Sequence, residues 1–408
     1  MNFLAQGIKK HYGLENRSIL LFFLASFLVQ AAMGSIGVLL NLYILELGFS
    51  EDFAGTVMSA KLFTTGLVCI PAGLICSRWG VGRVLAAGSA ALGLGILTVS
   101  LSASPGLLLA GAVLIGSAMA IKAVSVPLFL VENSSPRTRQ NLFSLNFALM
   151  MFANMAGTAL SGYLPVFWEN ARAGLAGTLG LYGILALISI LPLAFIAPQR
   201  GRTSNPGSQG LLDLKFILKD KNLRRLLVSH SLIGFGAGLI VPLFNIFMSN
   251  KLGASSAQIG VIMSVAQIAT ALGGLLVPLV VGRLGQVATV VVLRLASIPF
   301  LIMIANLTNI YGVGAAYFLR TTLMNMTNPV ESNLTMELAG SNRVGMSSLL
   351  SSMNTITRAI SVLAGGWIMV KYSYGVPYYF TCALYGITTL LFWAWFRPER
   401  QRENQPSE

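Results

Sequence analysis

The sequence predicts an all-α membrane protein in which twelve transmembrane helices form two pseudo-symmetric six-helix bundles. Three observations carry this expectation. First, 55% of the 408 residues are hydrophobic and only 10% are charged, with a mean hydropathy of +0.75. A water-soluble domain carries about 25% charged residues, so the solvent here is lipid. Second, the stretch GTVMSAKLFTTGLVCIPAGLICSRWG, Gly55 to Gly80, returns without a gap as GVIMSVAQIATALGGLLVPLVVGRLG, Gly260 to Gly285, 205 residues later. A repeat at half the chain length, in segments long enough to cross a bilayer, reads as a duplicated membrane bundle. Third, the 27 basic residues sort by loop. Outside the apolar runs they fall on one side of the membrane except for Arg172, Lys251 and Lys371, and the positive-inside rule then puts both termini in the cytoplasm, the protein lying in the inner membrane.

Crossing a hydrocarbon layer of ~30 Å takes ~20 helical residues. Runs of that kind lie at 18–46, 53–77, 82–103, 106–131, 141–166, 175–198, 224–250, 256–281, 287–308, 311–336, 346–370 and 376–396. They divide the chain into an N-terminal bundle over 1–198, a cytoplasmic linker over 199–222 and a C-terminal bundle over 223–408 that ends in a short cytoplasmic tail. The net charge of +14 follows from the loop bias, and twelve apolar runs exclude a basic soluble nucleic-acid binder. The first run is too long for a cleavable signal peptide. Cys69 and Cys76 lie about 10 Å apart along one helix and cannot bridge each other; with Cys382 they make no metal-ligand spacing. Paired carboxylates and a nucleophile–base set are missing, so neither an enzyme nor a cofactor is expected.

The chain opens on a short basic segment that anchors it to the cytoplasmic surface. In the first helix Gln30, Gly34, Gly37 and Asn41 share one face, which reads equally as a small-residue packing seam or a cavity lining. The second helix carries Lys61 in mid-span, where its copy has Ala266. A cation placed in one half only points to function. The sequence NLYILELGFS before this helix and GLICSRWGVGR after it resemble the start of a major facilitator superfamily transporter, whose loop between helices 2 and 3 reads G-x-x-x-D-R-x-G-R-[RK]. Gly73, Arg78 and Gly80 keep the spacing and Arg83 is displaced; Ser77 stands in place of the acid, as Gly282 does in the second copy. The resemblance implies the twelve-helix fold, with helices 1, 4, 7 and 10 lining a central cavity and 2, 5, 8 and 11 flanking it.

Helix 4 carries Lys122 near its middle and ends at Glu132, which the repeat maps onto Glu337, just as Arg78 maps onto Arg283. Two symmetry-related cytoplasmic clusters are therefore expected, Arg78 with Glu132 and Arg283 with Glu337, holding an inner gate shut in the outward-facing state. The competing reading is of solvated loop charges worth ~0–1 kcal/mol. Helix 5 contains GTALSG, which resembles the G-P-x-x-G-G antiporter motif but has Thr158 at the proline and Ser161 at the first of the final glycines; SVLAGG, ending at Gly366, is its counterpart in helix 11. Small residues there permit close helix approach. After helix 6 the linker begins with a flexible Gly/Ser/Pro/Asn stretch and ends in an amphipathic interfacial helix with Lys215, Lys219 and Lys221. Helix 7 repeats the theme of helix 1 with Gly234, Gly238, Asn245 and Ser249. Its His230 reads as a helix-end residue, and Arg294 of helix 9 as a structural residue snorkelling to the interface.

Helix 10 places Arg320, Thr327 and Glu331 on one face, with the two charges about 16 Å apart along the axis. Each must find its partner on another helix or on a ligand. Helix 11 adds Arg358. Four cations, Lys61, Lys122, Arg320 and Arg358, thus face one carboxylate, Glu331, where an unpaired charge costs ~2.5–3.5 kcal/mol or more. A small anion would offset the excess, and arginine offers a fork for carboxylate or phosphate. The expected function is transport of a small anionic organic solute by rocker-switch alternating access. Asn41, Lys61, Lys122, Asn245, Arg320 and Arg358 are the substrate-binding candidates, and Glu331 is the proton-coupling candidate. Coupling to protons or to a counter-transported anion is left open, and a monomer in the bilayer is expected. Two rivals stand beside this reading. A multidrug efflux pump would draw on Phe244, Met324 and Met326, and a non-transporting solute sensor would keep the fold for binding alone.

Overall fold

The computed structural model describes residues 16–135, 138–196, 220–339 and 343–397. The basic N-terminal segment, the linker with its interfacial helix and the cytoplasmic tail lie outside these residues. Twelve long helices follow one another: α1 (Arg17–Glu46), α2 (Glu51–Trp79), α3 (Val81–Ser100), α4 (Pro105–Glu132), α5 (Arg139–Tyr163) and α6 (Ala171–Ile188, resumed after Ser189 as Ile190–Ala194), then α7 (Lys221–Ile240), α8 (Ser256–Leu284), α9 (Gln286–Asn306), α10 (Ile310–Ala339), α11 (Arg343–Lys371) and α12 (Val376–Phe396). Among the described residues eight helices are long and apolar enough to cross a membrane, and α8 is a ninth when its two bent parts count as one span. The starts are set by local chemistry. The side chains of Asn16, Asn170 and Asp220 accept hydrogen bonds from free backbone N–H groups of the first turns of α1, α6 and α7. The Asn170 cap starts α6 at Ala171, four residues earlier than the hydropathy indicates.

The repeat is visible in the backbone. Among the described residues the positive-φ positions are Gly48, Gly80, Gly253 and Gly285, with φ of 88°, 82°, 64° and 77°. They form two pairs, each 205 residues apart in the numbering. Gly80 and Gly285 follow the last turns of α2 and α8, donating to Cys76 and Val281 carbonyls at 3.0 and 2.8 Å. A side chain would strain this left-handed stop, so the Arg-x-Gly ending of each copy is a helix terminator. The spacing differs between α1 and α7, where Gly34 and Asn41 correspond to Gly238 and Asn245 at 204 residues. α7 is continued by a 3-10 turn, Val241–Leu243, a helical turn, Phe244–Ile246, and a π turn, Phe247–Lys251, and the missing step is absorbed past Asn245 in the π turn. A π turn accommodates one added residue without ending a helix.

Two compact units emerge. The first gathers described residues from 16–49, 60–196 and 255–264, and the second those from 50–59, 220–254 and 265–397. The opening turns of α2 and α8 are therefore counted with the unit opposite to the rest of their helices. In the first unit α1 packs on α5, α3 on α4 and α3 on α6; in the second α7 packs on α11, α9 on α10 and α9 on α12. Small residues make these approaches possible. A Cβ on Gly157 of the GTALSG stretch would lie 2.1 Å from the Ala31 carbonyl oxygen, and one on Gly365 of SVLAGG 2.4 Å from that of Leu239. The core of the first unit is built on residues such as Phe22, Phe129 and Leu130, and that of the second on Leu226, Val290, Met326 and Phe392.

Candidate functional site

Three helices of the second unit bring ionisable groups together inside the membrane span. Arg294 of α9 is fully buried. Its Nη2 lies 2.8 Å from Oε1 of Glu331 on α10, whose Oε2 lies 3.2 Å from Nε2 of His230 on α7. The Arg294 N–H is poorly aligned as a hydrogen bond, yet at this separation the opposite charges alone bind the two groups, so the contact is an ion pair. Arg294 also donates from Nη1 to the Ser229 hydroxyl at 3.4 Å and sits over the Phe392 ring at 5.3 Å. Two expectations are corrected. Arg294 does not snorkel, because Glu331 and the Phe392 face hold it in the core, and His230 is a partner of Glu331. The histidine is the open edge of the triad, with its side chain 22% exposed. It lines a cavity with about 310 Å³ of water-accessible space, walled by polar groups of α10 and α11 that include Asn328, Ser332, Thr335, Ser351 and Asn354.

A second cluster lies about 11 residues back along α10. Arg320, 6% exposed, donates from Nη2 to the Tyr385 hydroxyl at 3.0 Å and lies 5.9 Å from that ring. Arg358 of α11 is within electrostatic reach of Arg320, Tyr317 and Tyr385. Tyr317 stacks on Phe244 with centroids 3.8 Å apart and planes 9° from parallel. Arg320, Tyr317, Phe244 and Tyr378 line a small cavity together with Ile240, Val241, Leu301 and Ile304. The Nε atoms of Arg320 and Arg358 and the Tyr378 hydroxyl are buried without a hydrogen-bond partner among the described residues. Asn245 is buried nearby in sequence, its carboxamide oxygen accepting from the Ile246 N–H at 3.0 Å. Of the residues favouring drug efflux, Phe244 is committed to Tyr317 and Met326 belongs to the core.

In the first unit Lys122 donates from Nζ to Gln30 Oε1, joining α4 to the polar face of α1. It lines a mainly apolar cavity together with Phe22, Ser26, Ser89 and Val126. Lys61, 8% exposed, has no ionic partner among the described residues; its own carbonyl accepts from Thr65, and its backbone is packed against Gly116 of α4. Asn41 is fully buried on α1. The expected gate residues Arg78, Glu132, Arg283 and Glu337 are exposed, and among the described residues neither pair forms a salt bridge. Glu337 instead accepts from Gln286 at 2.9 Å and Asn333 at 3.0 Å.

The sequence profile of the major facilitator superfamily matches residues 22–345 and again residues 226–408. The chain belongs to the major facilitator superfamily. It is therefore a multi-pass membrane transporter and not an enzyme. No curated protein sequence matches it. Solved superfamily structures share its fold at low identity. The nucleoside transporter NupG is 13% identical, with a TM-score of 0.79 over 93% of this chain and 99% of that one. A bacterial homologue of the human lysosomal transporter Spinster is 13% identical, with a TM-score of 0.77 over 95% and 98%. The D-xylose–proton symporter is 13% identical, with a TM-score of 0.74 over 93% and 97%.

Within this superfamily chain, the triad members that sequence reasoning set aside carry a signal in the repeat. Arg294 and Glu331 correspond to Ser89 and Val126 at 205 residues, and His230 to Ser26 at the 204-residue spacing of α7. All three counterparts line the same cavity as Lys122. The two halves thus fill equivalent places with different chemistry, an ionisable triad in one and apolar or hydroxyl groups in the other.

Proposed function

We propose that this transporter moves a small organic anion by rocker-switch alternating access, as a monomer of the cytoplasmic membrane with both termini inside. The observation that carries the proposal is the charge balance of the membrane span. Among the described residues both salt bridges end on Glu331, and Arg294 and His230 take up its two oxygens. Lys61, Lys122, Arg320 and Arg358 are left without a carboxylate among those residues. Four embedded cations in an empty, dry interior are costly, and an anionic solute relieves that cost when it binds. Asn41 and Asn245, both buried, contribute as polar wall residues.

Glu331 is the proposed coupling group. It is joined through His230 to a polar cavity, which gives water a route to the carboxylate. Uptake into proteoliposomes across a pH series tests this. The parent is expected to depend on pH and Glu331→Gln to lose that dependence; identical profiles remove Glu331 from the role. The solute class is tested by thermal stabilisation of the purified protein against organic anions, organic cations and drugs. Stabilisation by anions that disappears in Lys122→Ala and Arg320→Ala supports the proposal. Stabilisation by lipophilic cations alone overturns it in favour of drug efflux.

A further inference from the structure

We infer that the solute's charged end is a dianionic oxyanion, a phosphate monoester or a dicarboxylate, and that it is held inside the second unit by Arg320, Arg358 and the tyrosines around them. The inference rests on the anion-transport reading above and narrows it. Glu331 cannot serve these arginines, since Arg294 and His230 occupy it. Arg358 lies within electrostatic reach of Arg320, and two guanidinium groups in one buried region repel, a cost that a bound anion offsets. The protein supplies hydroxyls instead of carboxylates. Tyr385 accepts from Arg320, Tyr317 stands close to both arginines, and Tyr378 is 1% exposed with its hydroxyl unpartnered among the described residues.

Phenolic hydroxyls can accept from a guanidinium when the site is empty and donate to an oxyanion when it is filled. Arginine forks present paired N–H groups matched to two oxygens of one carboxylate or phosphate. Both Nε atoms are buried and without partners among the described residues, so each fork retains donors for a ligand. Two guanidinium charges match two ligand charges, which a monoanion leaves half balanced. The rings of Phe244 and Tyr317, with Ile240 and Leu301, make the adjoining wall apolar, so the neutral body of the solute meets hydrocarbon and ring faces there.

The test measures dissociation constants of the purified full chain for four probes of matched shape: phenyl phosphate, methyl phenyl phosphate, succinate and monomethyl succinate, with uridine as a neutral comparison. Esterification removes one charge and changes little else. The dianion of at least one pair is expected to bind tenfold or more tighter than its monoester, and the pair that shows the difference identifies phosphate or dicarboxylate as the source of the charge. Arg320→Gln and Arg358→Gln are each expected to weaken that dianion about 10- to 100-fold. Tyr378→Phe, which keeps the packing, is expected to weaken it several-fold, and Lys371→Gln, an exposed charge on α11, leaves it unchanged. Arg358→Lys provides a folded check if the glutamine variant fails size-exclusion, and is expected to lose the dianion preference because the fork is gone.

Equal binding of dianions and monoanions overturns the inference and leaves anion transport standing. So does a dianion preference that survives Arg358→Lys and Tyr378→Phe but is lost in Lys61→Gln or Lys122→Gln. If no anion binds while uridine or a lipophilic cation does, both readings fall together.

Discussion

Replacing Glu331 by leucine leaves Arg294 as a fully buried charge with no counter-ion. Removing one partner of a buried pair costs about 3–5 kcal/mol, whereas replacing both with apolar groups of similar size is often neutral or better. The local geometry favours the upper part of that range for Glu331→Leu, because the remaining Arg294 contacts are a 3.4 Å hydrogen bond to Ser229 and the Phe392 face. Arg294→Met is expected nearer the lower end, since Glu331 keeps His230 as a neighbour at 3.2 Å. The double variant is expected within about 1 kcal/mol of the parent, so with each single variant costing about 3 kcal/mol or more the coupling energy is at least about 5 kcal/mol. With about 3 °C of melting temperature per kcal/mol for a unit of ~200 residues, the single variants fall by about 9–15 °C and the double variant recovers most of that loss. Tryptophan-fluorescence melts in one detergent supply the four corners of the cycle. Single variants within about 3 °C of the parent, or a double variant whose loss is the sum of the two, refute the buried-pair reasoning.

Three further outcomes are expected. Gly157→Val forces a side chain onto the Ala31 carbonyl and separates α1 from α5, costing about 1–3 kcal/mol in the same melts; Gly37→Ala, where a Cβ meets open space, is the unaffected comparison. In the loop before α12 the Tyr374 hydroxyl donates to the Glu51 carboxylate and accepts from Asn250, and burial followed by the Glu51 contact raises its pKa. Tyr374→Phe therefore costs about 1 kcal/mol at neutral pH, and the difference from the parent shrinks as pH rises beyond about 10, where the unfolded phenol ionises and the folded one resists. For the proposed inner gate, Glu132→Gln or Arg78→Ala shifts the inward-to-outward ratio in cysteine labelling by at most about fivefold, the equivalent of a surface pair worth ~1 kcal/mol; an unchanged ratio removes these residues from the gate.

The fold was legible because lipid imposes a simple grammar. Hydropathy places each of the twelve helices to within a few residues, and the Gly55–Gly80 repeat reveals the duplication. Ends set by hydrogen bonding were harder to read. The Asn170 cap begins α6 before its apolar run, and a π turn changes the repeat spacing in α7 without leaving any mark in hydropathy. The charged triad was only half legible. Spacing along α10 shows that Arg320 and Glu331 cannot pair with each other, but the identity of Glu331's partner depends on which faces of α7 and α9 turn toward α10. A histidine near a helix end and an arginine two turns into a span look the same in sequence whether they reach headgroups or a carboxylate, and only packing separates those outcomes.

The repeat nevertheless contained more information about the site than the individual residues did. Lys61 lies opposite Ala266, Lys122 opposite Thr327, Arg294 opposite Ser89, Arg320 opposite Ile115, Glu331 opposite Val126 and Arg358 opposite Ala153. Every embedded charge in this set has a neutral counterpart, while the turn glycines recur in both halves. The two halves also repeat the same intra-unit helix pairings. Had these charges been requirements of the scaffold, the half lacking each one would need another means of making the same packing. It uses apolar or hydroxyl side chains and keeps the pairing. The symmetric residues therefore account for the architecture, and the asymmetric charges, which cost stability in lipid, are what the proposed solute site and coupling group account for.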